Sequence, residues 1–187
     1  MDSSAGEGSA REGDAGVRRA LAACRLLALD VDGVLTDGRV IYVGDEEAQA
    51  FHVRDGQGLV WLARAGVEVA WISGRGCAAT ERRARELGVK SLVLRAPDKA
   101  AALARLQEEL AIAPAETVAM GDDLPDLGLA SRAGLFVAPA DAHELVRERA
   151  VLVTHSRGGA GAVRELCEVI LRAKGRWPEI LGEPARR

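Results

Sequence analysis

"LLALDVDGVLTDG", residues 26 to 38, runs from an apolar segment straight into acid. Asp30 and Asp32 stand one residue apart at its end, Gly33 follows, and Asp37 comes five positions after Asp32. Ionised carboxylates are costly at the end of a buried strand unless something balances their charge. The stretch therefore predicts a buried strand over 26–31 that delivers two acids to a site at its carboxyl end. What neutralises them has to come from elsewhere in the chain.

The rest of the chain repeats the first half of that pattern. Short apolar runs predict further strands at 67–73 (VEVAWIS), 91–95 (SLVLR), 116–122 (ETVAMGD), 134–138 (GLFVA) and 150–154 (AVLVT). Continuous runs of this length suit strands covered on both faces. Helical patterns lie between them, near 57–65, 77–87, 98–111, 124–132, 141–148 and 159–174. The alternation predicts an α/β fold: a Rossmann-like parallel sheet with helices on both faces. Residues 38–53 (GRVIYVGDEEAQAFHV) break the alternation and read as a β-hairpin inserted after the first strand. Residues 21–175 are expected to form one domain. The polar, Gly/Ser-rich residues 1–20 and the segment 176–187, beyond Gly175, are expected to be tails.

Composition narrows the function. The 187 residues are 48% hydrophobic and 28% charged, ordinary for a globular chain. A net charge of -3 and the absence of a basic, aromatic-laced stripe argue against nucleic acid as a partner. No apolar stretch reaches the ~18 residues of a membrane span. The N-terminus lacks the apolar core of a secretory signal, so a cytoplasmic location is expected. Cys24, Cys77 and Cys167 have no metal-binding spacing and are expected to be small buried or helix-surface residues.

In open α/β sheets, ligands bind at the carboxyl ends of the strands. The first predicted strand ends in Asp30 and Asp32, the second in Ser73, Gly74 and Arg75, and the fourth in Gly121, Asp122 and Asp123. Lys99 opens the helix after the third, and Asp126 lies one turn beyond Asp122. Each piece alone is commonplace, since a Ser-Gly is usually a turn and a helix-start lysine is usually solvated. Together they form an electrostatic mould. Clustered carboxylates call for a cation, and a small set of hard oxygen ligands suits Mg²⁺ bridging protein and phosphate. Lys99, the Ser73 hydroxyl and the Gly74 amide can hold phosphoryl oxygens. One aspartate is then free to attack phosphorus, and another can act as general acid and base.

The motifs "DVDGVLTDG", "SGR", "DK" and "GDDLPD" resemble, in order, those of the haloacid dehalogenase superfamily of phosphohydrolases. The resemblance implies that Asp30 is the nucleophile and Asp32 the general acid/base. It also implies that Asp30, Asp122 and the Asp32 carbonyl hold Mg²⁺, with Asp123 and Asp126 orienting the metal's waters. A finer similarity, carried by "DVDGVLTDGRVIY", "FHVRDGQG", "SGR" and "GGAGAVRELCEVIL", is to the capless 3-deoxy-D-manno-octulosonate 8-phosphate phosphatase subfamily of lipopolysaccharide biosynthesis. This implies a homotetramer built through the hairpins, each site partly closed by a neighbour. It places His52, Val53, Arg54, Asp55, Gly56, Arg75 and Arg83 near the sugar acid, whose carboxylate arginine grips well. The short separations of Asp32, Ser73, Lys99 and Asp122 leave no room for a folded lid, in keeping with a capless enzyme.

Three other readings stay open at this stage. The same chemistry could serve a nine-carbon acid 9-phosphate of the sialic or nonulosonic type, although Arg75 favours the eight-carbon acid by resemblance. A non-catalytic module associated with a sugar-nucleotide synthetase would be expected to have lost Asp32 or Lys99, and both are present. A receiver domain would carry its phosphoacceptor on the third strand, where "SLVLR" ends without an aspartate. Asp37 is expected to bond backbone amides where the chain turns into the hairpin.

Overall fold

The computed structural model describes residues 15–182. Strands β1 (Leu26–Leu29), β4 (Glu68–Ile72), β5 (Ser91–Val93), β6 (Thr117–Met120), β7 (Leu135–Ala138) and β8 (Leu152–Val153) form one sheet in the order β5-β4-β1-β6-β7-β8. Every pairing in it is parallel, with β1 at the centre between β4 and β6. The continuous apolar runs now have their explanation, because alternate residues serve two separate cores. On β1, Leu27 and Leu29 face one cluster while Leu26 and Ala28 face the other.

The first cluster is closed by a helix over 15–23 (α1), α2 (Val53–Arg64) and α7 (Ala162–Ala173), through Leu21, Leu59, Leu62, Val163, Leu166 and Ile170. The second is closed by α4 (Lys99–Leu110), α5 (Leu127–Ala130) and α6 (Glu144–Arg149), through Leu103, Leu106, Leu129 and Val146. Helix α3 (Ala78–Leu87) adds Ala84 to the first core. The three cysteines are free and buried, as expected of small core residues.

Several boundaries differ from the sequence reading. The N-terminal tail expected through residue 20 is helical from 15, because Val17, Ala20 and Leu21 find the first core. Residues 1–14 of that expected tail lie outside the described residues. At the other end, residues expected to be tail include a short helix, α8 (Trp177–Ile180), whose Trp177 packs edge-on against Trp61, with 6.1 Å between ring centroids. Residues 183–187 lie outside the described residues.

The hairpin is shorter than predicted. Its strands are β2 (Ile41–Val43) and β3 (Glu46–Ala48), pairing Val43 with Glu46 across a two-residue turn at Gly44 and Asp45. Asp37 accepts from the Arg39 amide at 3.2 Å, as expected at the turn into this arm. The arm is separate from the main sheet and leaves Val40, Ile41, Tyr42 and Val43 exposed. Helix α2 begins at Val53 instead of 57 and includes Gly56 and Gly58. Both glycines are contact points. Side chains there would run into Arg83 and into Arg164 and Cys167, so the glycines let α2 lie close to α3 and α7.

Candidate active site

The carboxyl ends of β1, β4 and β6 open onto one cleft of about 290 Å³. It is lined by Asp30, Asp32, Ser73, Gly74, Arg75, Lys99, Asp122, Asp123 and Asp126, so the eight residues expected around the phosphoryl group and metal meet there, together with Arg75, expected at the sugar acid. Each arrives for a local reason. Asp30 extends β1, its amide bonding the Met120 carbonyl of β6 at 3.0 Å. Ser73 follows β4 directly, and its hydroxyl oxygen accepts from the Arg75 amide at 3.0 Å, which leaves its own proton to donate. Lys99 is the first residue of α4, behind Asp98, which caps the helix by accepting from the Ala101 amide at 3.0 Å.

Lys99 is the buried cation of the cleft. Its Nζ lies 2.7 Å from Asp30 Oδ1 and 2.5 Å from Asp126 Oδ1. Burial works to lower the lysine's pKa, yet the charges of Asp30 and Asp126 outweigh it and the net shift is upward. Asp126, fully buried, also accepts from the amides of Asp122 and Asp123 at 2.9 and 3.1 Å. It therefore holds Lys99 and the β6–α5 loop in place.

The acids outnumber the bases. Five aspartates face Lys99 and the partly exposed Arg75. Burial, reinforced by the Asp126 charge, pushes the Asp30 carboxyl up to about 7 against the pull of Lys99. Burial and the neighbouring Asp30 and Asp126 push Asp122 up to about 8. Carboxylate oxygens of Asp30, Asp122 and Asp126 come within 4.8 Å of one another, and Asp122 Oδ1 is buried with no hydrogen-bond partner among the described residues. An oxygen-only donor set, an orphaned carboxylate oxygen and excess negative charge fit a hard divalent cation. Gly33 makes room for this arrangement. It takes a left-handed φ of 86°, and a Cβ there would collide with the Asp122 carboxylate.

Asp32 stands further out and is partly exposed. Its Oδ1 accepts from Gln49 Nε2 at 2.9 Å, and its Oδ2 lies 3.7 Å from Arg75 Nε. Arg75 in turn donates to Glu47 Oε1 at 2.6 Å. Glu47 and Gln49 were missed in the sequence. The signal available was period-2 spacing on the second hairpin strand, which puts both on one face.

The remaining predicted residues are not brought into this cleft. His52 and Arg54 line a separate cavity with Ser156, Gly161, Arg164 and Glu165. Val53 is exposed at the start of α2. Asp55 is buried and accepts from the Arg164 amide at 2.7 Å, tying α2 to the N-terminus of α7. Gly56 lies under the Arg83 guanidinium, which pairs with Glu86 at 3.3 Å.

Comparison with known proteins agrees with this geometry. A profile of haloacid dehalogenase-like hydrolases matches residues 92–166. The 3-deoxy-D-manno-octulosonate 8-phosphate phosphatase of Salmonella typhi is 47% identical over 161 residues, 85% of each chain. Among solved structures, the phosphatase of that name from Moraxella catarrhalis, in complex with magnesium ion, phosphate ion and KDO, is 38% identical. It superposes with a TM-score of 0.86 over 89% of this chain and 96% of the other. The cobalt-bound deoxy-D-mannose-octulosonate 8-phosphate phosphatase of Haemophilus influenzae is also 38% identical, with a TM-score of 0.81 over 83% of this chain and 92% of the other. The chain thus belongs to the capless 3-deoxy-D-manno-octulosonate 8-phosphate phosphatase subfamily of the haloacid dehalogenase phosphohydrolases.

Proposed function

We propose that the protein is a Mg²⁺-dependent phosphatase that hydrolyses 3-deoxy-D-manno-octulosonate 8-phosphate through an aspartyl-phosphate on Asp30. The observation that carries this reading is the buried Asp30–Lys99 pair facing the orphaned Asp122 oxygen, in a chain 47% identical to a phosphatase of that substrate. Asp30 and Asp122, with the Asp32 carbonyl, are the proposed Mg²⁺ ligands. The bound ion supplies positive charge that keeps these acids ionised and offsets the charge of the phosphoryl oxygens.

The chain's own groups do the rest. The Asp30 carboxylate attacks phosphorus while Lys99, the Ser73 hydroxyl and the Gly74 amide grip the phosphoryl oxygens. As the P–O bond to the sugar breaks, Asp32 gives its proton to the departing oxygen. Water then attacks the phosphorus of the aspartyl-phosphate. Asp32 takes the water's proton, Asp30 is restored and inorganic phosphate leaves. Asp123, at the mouth of the cleft, is proposed to order water around the ion.

Arg75 is proposed to meet the sugar acid's carboxylate at the mouth of the cleft. His52, Val53, Arg54, Asp55, Gly56 and Arg83 lie outside this chain's own cleft, so any contact they make with the sugar acid has to cross a subunit boundary. The exposed apolar arm at Val40–Val43 supports such an assembly, which we propose is a homotetramer. Among the described residues, no helix is long and apolar enough to cross a membrane. We place the enzyme in the cytoplasm, in lipopolysaccharide biosynthesis.

The test is phosphate release from 3-deoxy-D-manno-octulosonate 8-phosphate and from a nine-carbon acid 9-phosphate, with Mg²⁺ and with chelator. Turnover should be higher on the eight-carbon substrate, vanish with chelator, and fall at least about a thousandfold in Asp30→Asn. Robust turnover by that variant would falsify the aspartyl-phosphate route.

A further inference from the structure

The general acid/base of this site is held by the hairpin. Asp32 lies beyond the end of β1, on a loop, and is partly exposed, so nothing in the sheet itself defines its rotamer. Its Oδ1 receives the Gln49 amide at 2.9 Å. Gln49 stands directly after β3, and its own Oε1 accepts from Thr80 Oγ1 at 2.5 Å. Thr80 is buried in the first turn of α3, an element anchored in the first core through Ala84. The result is a chain of two hydrogen bonds running from a fixed hydroxyl, through one amide, to one carboxylate oxygen.

A glutamine suits this place for a physical reason. Its amide accepts at one end and donates at the other, so Thr80 fixes which end faces Asp32. Arg75 Nε lies 3.7 Å from the other oxygen of the same carboxylate, so Gln49 provides the short, directional contact and Arg75 a longer one.

We infer that Gln49, oriented by Thr80, is a positioning residue that aims the Asp32 carboxyl at the bond to the leaving oxygen. The inference rests on the proposed role of Asp32. It adds that the hairpin, besides offering an apolar face to a partner, sets the geometry of proton transfer.

The test exploits the leaving group. A sugar alkoxide needs a proton as it departs, whereas p-nitrophenolate does not. In the first turnover, before the water step that Asp32 also serves, Gln49→Ala should slow release of the sugar acid about tenfold, a fraction of the ~10²–10⁴ that general acid catalysis supplies, while release of p-nitrophenolate slows less than about twofold. The KM of both substrates should stay within about twofold. Thr80→Val should show the same selective loss, Thr80→Ser should restore it, and Gln49→Ala combined with Thr80→Val should be no worse than Gln49→Ala alone. Asp32→Asn, measured beside them, separates the two claims. If Asp32→Asn shows the leaving-group selectivity and Gln49→Ala does not, the positioning role fails and the role of Asp32 survives. If Asp32→Asn slows first-turnover release of both leaving groups equally, the acid assignment fails and takes the inference with it. A change confined to KM in Gln49→Ala would also overturn it, making Gln49 a substrate contact.

Discussion

The β1 cleft and the α2–α7 junction each bury an aspartate, and the two are balanced in different ways. Asp30 is 6% exposed and faces the Lys99 ammonium, two further carboxylates and an orphaned oxygen of Asp122. Asp55 is 1% exposed and faces the start of a twelve-residue helix, where it accepts the Arg164 amide. Burial raises the pKa of both. At the junction a single acid meets one helix start, whose N–H groups and dipole partly offset its burial, while its second oxygen, Oδ2, is buried with no partner among the described residues. In the cleft, like charges are crowded beyond what one lysine can answer. The first arrangement is one acid tied to a helix start, and the second is a cluster of acids that calls for a cation.

Adding metal tests that contrast most strongly. Mg²⁺ at about a hundred times its dissociation constant should stabilise the protein by about 2.7 kcal/mol, read as a rise in melting temperature. Asp122→Asn should remove the rise, while Asp55→Asn should keep it. A full Mg²⁺ response in Asp122→Asn would show that the cleft is not the metal site.

Next in size is the effect of removing each acid from the metal-free protein. Asp55→Ala leaves the α7 amide buried without its partner and should cost about 2 kcal/mol in urea unfolding. Asp30→Asn relieves repulsion with Asp122 and Asp126 and should leave stability unchanged or raise it. Equal losses in the two variants would erase the distinction between the tied acid and the cluster.

The smallest effect is a slope with pH. Asp30 and Asp122 rise from an ordinary 3.8 to about 7 and about 8 in the metal-free fold, so the folded state holds protons that the unfolded state releases. Their contribution to stability is complete below 3.8 and is lost as pH rises through about 7 and about 8. Melting temperature should fall across that window without metal, and Mg²⁺ should flatten the fall. A metal-free melting temperature that climbs from pH 5 to pH 8 would contradict the crowding.

How far the molecule could be read in advance differs from residue to residue. Asp30, Ser73, Lys99 and Asp122 were legible because each sits at the end of a local apolar pattern. A parallel sheet necessarily brings such ends to one edge. The pattern puts the start of α2 near 57, but it lies at Val53, since a glycine such as Gly56 that admits a neighbouring helix looks, in one dimension, like one that breaks a helix. The bonds Asp126 makes to Lys99 and to the amides of Asp122 and Asp123 could not be read in advance, because such partners are identified only by distance. The bond between Gln49 and Thr80 was invisible, since the two are 31 positions apart.

Apolar periodicity and the order of a few polar motifs were sufficient for the α/β class, the meeting of acids, a hydroxyl and a lysine at the strand ends, and the demand for a cation. These follow from local chemistry and from the geometry every parallel sheet shares. Packing in three dimensions settled what holds each acid: an ammonium for Asp30, two amides and a lysine for Asp126, a helix start for Asp55, and a hairpin glutamine for Asp32. A carboxylate's charge state and direction depend on groups within a few ångströms, and those groups come from distant parts of the chain.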